Sequence, residues 1–590
     1  MKTLIPGKSV CGICLVLALA FWPVPHTLAA TITVSTTNDN GAGSLRQAIQ
    51  TAAPGDTIEF SVTGAITLMN GELAIATNLT IVGPGHASLT VLRSTASNTP
   101  PFRIFNITGG TVSISGLTIA NGAVYGSTGT NGVGSDGGVG QAAQGGSVFN
   151  RSSLSLSNCV VRGNSVTGGN AGQAFGGAGI GAAGGEASGG GIYNEGALEL
   201  IRCDVRDNRA TGGGGGYAST AGAGGSANGA GIWSRGALNV IQCSVRDNQA
   251  IGGTGGYPFG GSGGNGSGGG IYNQGSLTLN GATVSGNLTQ GGLGGARDGR
   301  GGFSSGGGIA NDNGLVATNC TFSGNSARGG DSACGSFSFR VVTGSEGGGI
   351  ASTGALTLVN CTISGNNVSP GGTDGCFPSS NGGISVGGGI SSSGTLLKNT
   401  IIAGNHENEL NPGSPDVAGR VTSQGYNLIG LIVSTDGLVA GDLAGSVSFA
   451  YAPLDPKLGP LQDNGGSTLT IALLPGSPAI NAGDSSACPA TDQRGVSRPQ
   501  GARCDIGAYE SALSSGGTIL SPAGTIERLP EDQLRIEFPT LPSRFYLLQA
   551  SADLIHWTSV IPNFQPDGVV RFQETNSAQF PARFFRMVTR

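Results

Sequence analysis

GGGIYNEGALELIRCDVRDN, residues 189–208, is one copy of a pattern that also reads GAGIWSRGALNVIQCSVRDN from Gly229 and GGGIASTGALTLVNCTISGN from Gly347. Its aliphatic anchor recurs as Val148, Ile192, Ile232, Ile271, Ile309, Ile350 and Ile390, every 38 to 44 residues. A fixed period of this size means stacked units, none of which buries its apolar face alone. Within residues 189–208 the alternation has period two: Leu198 and Leu200 point one way, Ala197 and Glu199 the other. The turn Ile201-Arg202 resets it, and Cys203 and Val205 then point inward. Period two, short runs and small-residue turns predict an all-β, right-handed parallel β-helix, one unit per rung.

Each copy closes on asparagine: Asn164, Asn208, Asn248, Asn287, Asn325, Asn366 and Asn405. A side-chain amide both donates and accepts, so stacked copies predict a ladder that satisfies turn backbone on the next rung. The anchor-to-asparagine stretch fills less than half the period. The remainder, such as RATGGGGGYASTAGAGGSANGAG after Asn208, has almost nothing apolar to bury. It reads as a glycine-rich excursion leaving every rung at the same edge, where glycine permits close backbone approach.

Glycine accounts for 112 of 590 residues and charged residues for 11%. The absence of a collagen triplet assigns that glycine to turns and excursions. A net charge of -5 with no basic block excludes nucleic acid as an expected partner. Residues 1–30 read as a secretory signal, with Lys2 and Lys8, an apolar stretch to Trp22, then Leu28-Ala29-Ala30. No later run is long enough for a membrane helix, so the mature chain is expected outside the cytoplasm, as a monomer.

The remaining cysteines sort by position. Cys159, Cys203, Cys243, Cys320 and Cys361 share one inward slot and read as a buried column of small apolar groups. Cys334 and Cys376 follow successive ladder asparagines by similar distances, which predicts a disulfide between excursions; Cys488 and Cys504 flank a polar loop and form a second expected pair. At the N-terminus, residues 31–125 carry strand signals, and the amphipathic run 44–50 predicts a short helix plugging the stack. Residues 126–410 hold the glycine-rich repeats, and 411–510 the last rungs and closing segment. A linker, 511–521, leads to a small β-module at 522–590, where Trp557, Phe572 and Phe585 mark the return of aromatics.

The repeat GGGIYN…L.L…C.VSGN resembles the right-handed β-helices of the pectin lyase-like superfamily. It is most similar to secreted bacterial proteins with polymorphic-outer-membrane-protein-like repeats. The stretch LLPGSPAINAGDSSACPATDQRGVSRPQGARCDIGAYE, residues 473–510, resembles a choice-of-anchor Q segment. The tail motif YLLQASADLIHWTSV is similar to C-terminal modules of large secreted proteins from Verrucomicrobia-like bacteria. The resemblance implies a cell-surface or outer-membrane-associated protein of a Gram-negative-type bacterium, with the tail in the anchor slot. About 70 tail residues are too few for a closed membrane barrel.

Two constellations carry candidate chemistry. Arg206-Asp207 and, one rung on, Arg246-Asp247 place two carboxylates about 5 Å apart beside Arg162 and Asp204. They read either as a polysaccharide lyase or hydrolase site, or as charges neutralising one another on a solvated ridge. Ca²⁺ is the cation such a pair would take; no other metal or cofactor is expected. The residues after the anchors, Phe149, Tyr193, Trp233 and Tyr272, form an aromatic stripe. It reads either as a platform on which sugar rings stack, or as rings that cover one another beneath the excursions. The expectation that follows is a non-catalytic surface or adhesion stalk, with polysaccharide or cell-surface components as partners; the alternative is a carbohydrate-active enzyme or glycan-binding protein.

Overall fold

The computed structural model describes residues 29–176, 179–333, 343–372, 383–407, 415–432, 437–446 and 453–511, and the strands between 525 and 589. The chain separates into two compact units, Met1–Pro499 with Arg503–Ser511, and Gln500–Ala502 with Ala512–Arg590. In the first, parallel strands stack in register. Ile192–Asn194 lies between Val148–Asn150 and Ile232–Ser234, and Asp204–Arg206 between Val160–Arg162 and Ser244–Arg246. This is a right-handed parallel β-helix. Its interior is the alternating set read from the repeat: Val148, Ile192, Ile232, Ile271, Ile309, Ile350 and Ile390 are fully buried, as are Leu200 and Val205. Each rung buries three or four aliphatic side chains, at about 1.5–3 kcal/mol apiece, against the entropy of ordering the coil.

The N-terminal end is plugged as expected. Helix Leu45–Thr51 begins on Ser44, whose hydroxyl accepts the Gln47 N–H, and it buries Leu45, Ala48 and Ile49. The turn after each second strand is held by residues in the left-handed region, where asparagine and glycine are favoured: Asn158, Arg202, Gln242, Asn319, Asn360 and Asn399 have φ of 49–52°.

All seven ladder asparagines stack. Asn208 donates from its backbone N–H and its amide to Asn248 Oδ1, at 3.1 and 2.9 Å, and Asn248 does the same to Asn287. Each amide also donates to the preceding rung's carbonyl, Asn248 to Val205 at 3.0 Å. The ladder ends on Asp416, whose Oδ1 accepts from Asn405 at 2.9 Å. A second ladder runs one turn away: Asn150 donates to Asn194 at 2.7 Å, Asn194 to Ser234 at 2.9 Å, and Asn273 to Asn311 at 2.7 Å.

The excursions are more ordered than loops. Their bases form two further seven-stranded parallel sheets, running from Ala123–Tyr125 to Asn367–Ser369 and from Ala143–Gln144 to Ser385–Val386. Beyond these the glycines form a lattice. Gly225 donates to Gly213, Gly253 to Gly225, Gly264 to Gly253 and Gly292 to Gly264, each at 2.8 Å, so outgoing and returning segments alternate through the stack. The neighbouring Gly252 and Gly255 donate to the next rung, at Gln290 and Leu293, whereas Thr254 between them faces outward. Two glycines in, one residue out is the three-residue repeat of an extended polyproline-type helix. A Cβ on Gly253 would lie 2.0 Å from the Gly213 carbonyl oxygen, so no other residue fits.

A closing strap follows the last rungs. Residues 453–511 double back along the outside of the coil, and the stretch DQRGVSRPQGARCDIGAYE is its clasp. Arg498 and Glu510 pair at 3.0 Å with essentially no exposure, and Arg498 also donates to the Asp505 and Gly507 carbonyls. Cys488 and Cys504 are joined by a disulfide, with Cα atoms 6.7 Å apart; Cys334 and Cys376 lie outside the described residues. The five cysteines of the inward slot are free and buried. Against the lowering pull of Cys159, the hydrogen bond with Cys243 and burial push the Cys203 thiol up to about 12.

The second unit contains two three-stranded antiparallel sheets. One pairs Gln533–Pro539 with Thr525–Leu529 and Val569–Glu574; the other pairs Tyr546–Ser551 with Thr558–Phe564 and Phe584–Thr589. Phe572 and Phe585 meet across them at 5.9 Å, and Ile536 and Leu548 are fully buried.

Candidate functional site

The strap decides which part of the coil is reachable. It lies on the face formed by the left-handed turns and the first residue of each following strand. Thr283 donates to the Leu469 carbonyl at 2.6 Å, Asn319 to Thr491 at 2.8 Å, and Thr362 accepts from the Ala508 N–H at 3.0 Å. Buried Gln493 accepts from Thr321 at 2.6 Å and donates to Thr283 at 2.8 Å. Toward the N-terminus the strap stops at the hairpin tip near Thr468. From the other end, the loop carrying His86 reaches the same face, where Thr118 donates to the His86 carbonyl at 2.7 Å.

Between these two covers, three rungs remain open over a cavity of about 410 Å³. Its polar walls include His86, Arg202, Asp204, Gln242, Arg246 and Asp463, and its floor includes Val160, Cys159 and Cys203. This size suits a small ligand or a short segment of chain.

The Arg-Asp ridge forms one wall. Asp204 is the hinge of the charge network: it meets Arg206 at 3.0 Å and Arg246 at 2.8 Å, so a single carboxylate bridges two rungs. Arg206 also pairs with Asp207, and Arg246 with Asp247 at 3.0 Å. The acids hold the Arg246 guanidinium above its ordinary range despite partial burial. Asp207 and Asp247 occupy left-handed positions with φ of 56°, where the other copies carry glycine. Their carboxylates fold back on adjacent arginines. Of the two readings of the ridge, this geometry is that of mutual neutralisation. A Ca²⁺ ion placed there would meet guanidinium groups as well as carboxylates. Among the described residues, no group of three or more His, Cys, Asp or Glu side chains converges on a metal position.

The structure places the aromatic stripe beneath the excursions. Phe149, Tyr193 and Trp233 are 2%, 4% and 8% exposed and lie at the root of the excursions. Tyr193 and Trp233 stack with centroids 4.1 Å apart and planes within 1°, and Phe149 stacks on Tyr193 at 4.9 Å. Arg103 and Arg151 cover Phe149, at 4.8 and 4.4 Å from its centroid. Burial, together with the hydrogen bond that its hydroxyl donates to Asp312 at 2.6 Å, raises Tyr272 above the ordinary phenol range. The ring faces that a sugar would need are occupied by other side chains.

Sequence reasoning missed the open slot itself. One signal was available: the residue after the cysteine slot is Val160, Asp204 and Ser244 in the open rungs, then Thr283, Thr321 and Thr362 under the strap.

The described fold defines a class: a parallel β-helix with a glycine-lattice flange and a clasped strap. No family model matches the chain, and neither does any curated protein. Among solved structures, the chain is similar to the A-module of mannuronan C-5 epimerase AlgE4 from Azotobacter vinelandii. Identity is 10%, coverage is 70% of this chain and 100% of that one, and the TM-score is 0.26. At that score the likeness carries no argument about chemistry.

Proposed function

We propose that the chain is an exported, surface-held stalk with a structural or adhesive role, and not a polysaccharide-cleaving enzyme. The observation that carries this reading is the use to which the candidate catalytic groups are put. Asp204, Asp207 and Asp247 each hold an arginine, and the aromatic rings hold one another. Repeated backbone ladders and a lattice whose inward positions admit no side chain favour a stiff rod. In this reading the polymorphic-outer-membrane-protein-like repeats form the rod, the choice-of-anchor-like stretch clasps its end, and residues 522–590 serve attachment. The basic and apolar character of residues 1–30 supports export. Attachment is assigned to the tail module because it stands in the anchor slot of the proteins the chain resembles; no helix among the described residues is long and apolar enough to cross a membrane.

The test has two arms. Protease shaving of cells expressing the full chain should release the repeat region; retention inside the cell would refute surface placement. Purified mature chain, assayed against neutral and acidic polysaccharides, should show no turnover. Turnover that disappears in both Asp207→Asn and Asp247→Asn would instead establish the carbohydrate-active alternative on the ridge.

A further inference from the structure

The strap shows what the outer face of the coil binds: polypeptide main chain. In the covered rungs the left-handed turn supplies an amide at Asn319, Asn360 and Asn399, and the next strand a hydroxyl at Thr283, Thr321 and Thr362. Asn319 donates to the Thr491 carbonyl at 2.8 Å and Asn399 to the Asp484 carbonyl at 3.3 Å, while the Asp484 N–H returns to Asn399 Oδ1 at 2.8 Å. Thr283 and Thr362 bond the strap backbone at 2.6 and 3.0 Å. Amides and hydroxyls that both donate and accept are the groups suited to peptide units, whatever their side chains.

The three open rungs continue the same two columns. Their left-handed turn residues are Asn158, Arg202 and Gln242, at φ of 50, 51 and 52°, and their strand residues are Val160, Asp204 and Ser244. At the rung spacing of about 4.8 Å, three rungs make a slot about 14 Å long, room for roughly four extended residues. Its charges are unevenly spent. Asp204 is held by two arginines, whereas Asp463, at the strap-tip end, accepts the neutral Gly465 N–H of its own loop at 2.9 Å and makes no ion pair among the described residues. Arg202 donates to a neutral partner, Gln242 Oε1, at 3.2 Å, and makes no ion pair among the described residues.

We propose that this slot, between the His86 loop and the strap tip, docks a short extended segment of a partner protein, with an acidic side chain set against Arg202. The segment lies where the strap would lie if it reached three rungs further, and it takes main-chain bonds from Gln242 and Ser244. The assignment is independent of where the stalk is displayed.

The experiment uses the mature full chain and labelled pentapeptides with a central aspartate, asparagine or lysine, beside neutral and acidic oligosaccharides. Fluorescence polarisation should show the aspartate series binding most tightly and the lysine series least. Arg202→Gln should weaken the aspartate series at least about tenfold, the size expected for a lost charge-assisted bond, and remove its advantage over asparagine. Ser244→Trp, which fills the slot, should abolish peptide binding. Because that variant alters a packed face, Arg202→Gln, an exposed change, serves as the second reading, with the melting temperature of each recorded. Peptide binding unchanged in both variants overturns the proposal. So does the absence of peptide binding, whether nothing binds or an oligosaccharide binds and is displaced by Ser244→Trp.

Discussion

The coil and its flange are stacked at the same spacing by opposite means. In the coil, rungs cohere through buried side chains: Ile271 and its equivalents, the cysteine column and two amide ladders. In the flange, rungs cohere because side chains are missing, so that backbones hydrogen-bond in two directions at once. The coil tolerates variety so long as a slot stays apolar and of similar volume. The lattice tolerates nothing larger than hydrogen, but leaves every third residue free. The lesson is that one period can carry two codes, one written in what is buried and one in what is left out.

Substitutions break the comparison at different places. Ile271→Ala removes a fully buried anchor and leaves a cavity between two rungs. It should cost about 4 kcal/mol, read as a lower denaturation midpoint for the whole coil.

The seam between coil and flange is the asparagine ladder, and its terminal acceptor Asp416 supplies a pH test. Burial raises this carboxyl from 3.8 to about 6, against the opposing pull of the Asn405 hydrogen bonds. The folded state therefore holds its proton more tightly than the unfolded state does. Stability from this group is complete below about pH 3.8 and is lost as pH rises through about 6. The loss is on the order of 3 kcal/mol and is flat above that window. Asp416→Asn should flatten that segment of the stability–pH curve. A curve of unchanged slope in the variant would remove Asp416 as its cause.

Gly253→Ala places a methyl against the Gly213 carbonyl and should cost about 2 kcal/mol, confined to the flange. Hydrogen exchange should accelerate at Gly252, Gly255 and Gly264 while the coil amides near Ile271 stay protected. If both regions loosen together, flange and coil are one cooperative unit and the two-code reading fails. Gly314→Ala is the smallest case. Nothing lies within 4 Å of the added carbon, and stability should move by less than about 0.5 kcal/mol.

The coil was legible because its signals are local. Period-two alternation, the recurring asparagine and the Ser44 cap sit within a few residues of what they determine. The second ladder was visible too, as the Asn or Ser two places after each anchor, but it was hidden beside the louder aromatic position. Those aromatics carried two readings in the sequence, because what distinguishes them, ring on ring and Arg103 from the adjacent rung, lies about one repeat away in the chain. The open slot was the hardest feature to see. Thr321 and Gln493 are 172 residues apart, and no periodicity connects a repeat to the strap that later covers it. Copy-to-copy variation was therefore informative without being interpretable. Threonine at 283, 321 and 362 records cover, and Asp204 with Ser244 records its absence.

Translational equivalence along the ladders also makes length a separable variable. Excising residues 229–267 joins Asn228 to Gly268, the counterpart of Gly229, so both ladders and every sheet resume in register. Such a deletion shortens the molecule by one rung and shrinks the uncovered window from three rungs to two, leaving the clasp untouched. Reach is thus counted in whole repeats, and the strap, fixed to the distal rungs, is the stop that determines how many of them face outward unoccupied.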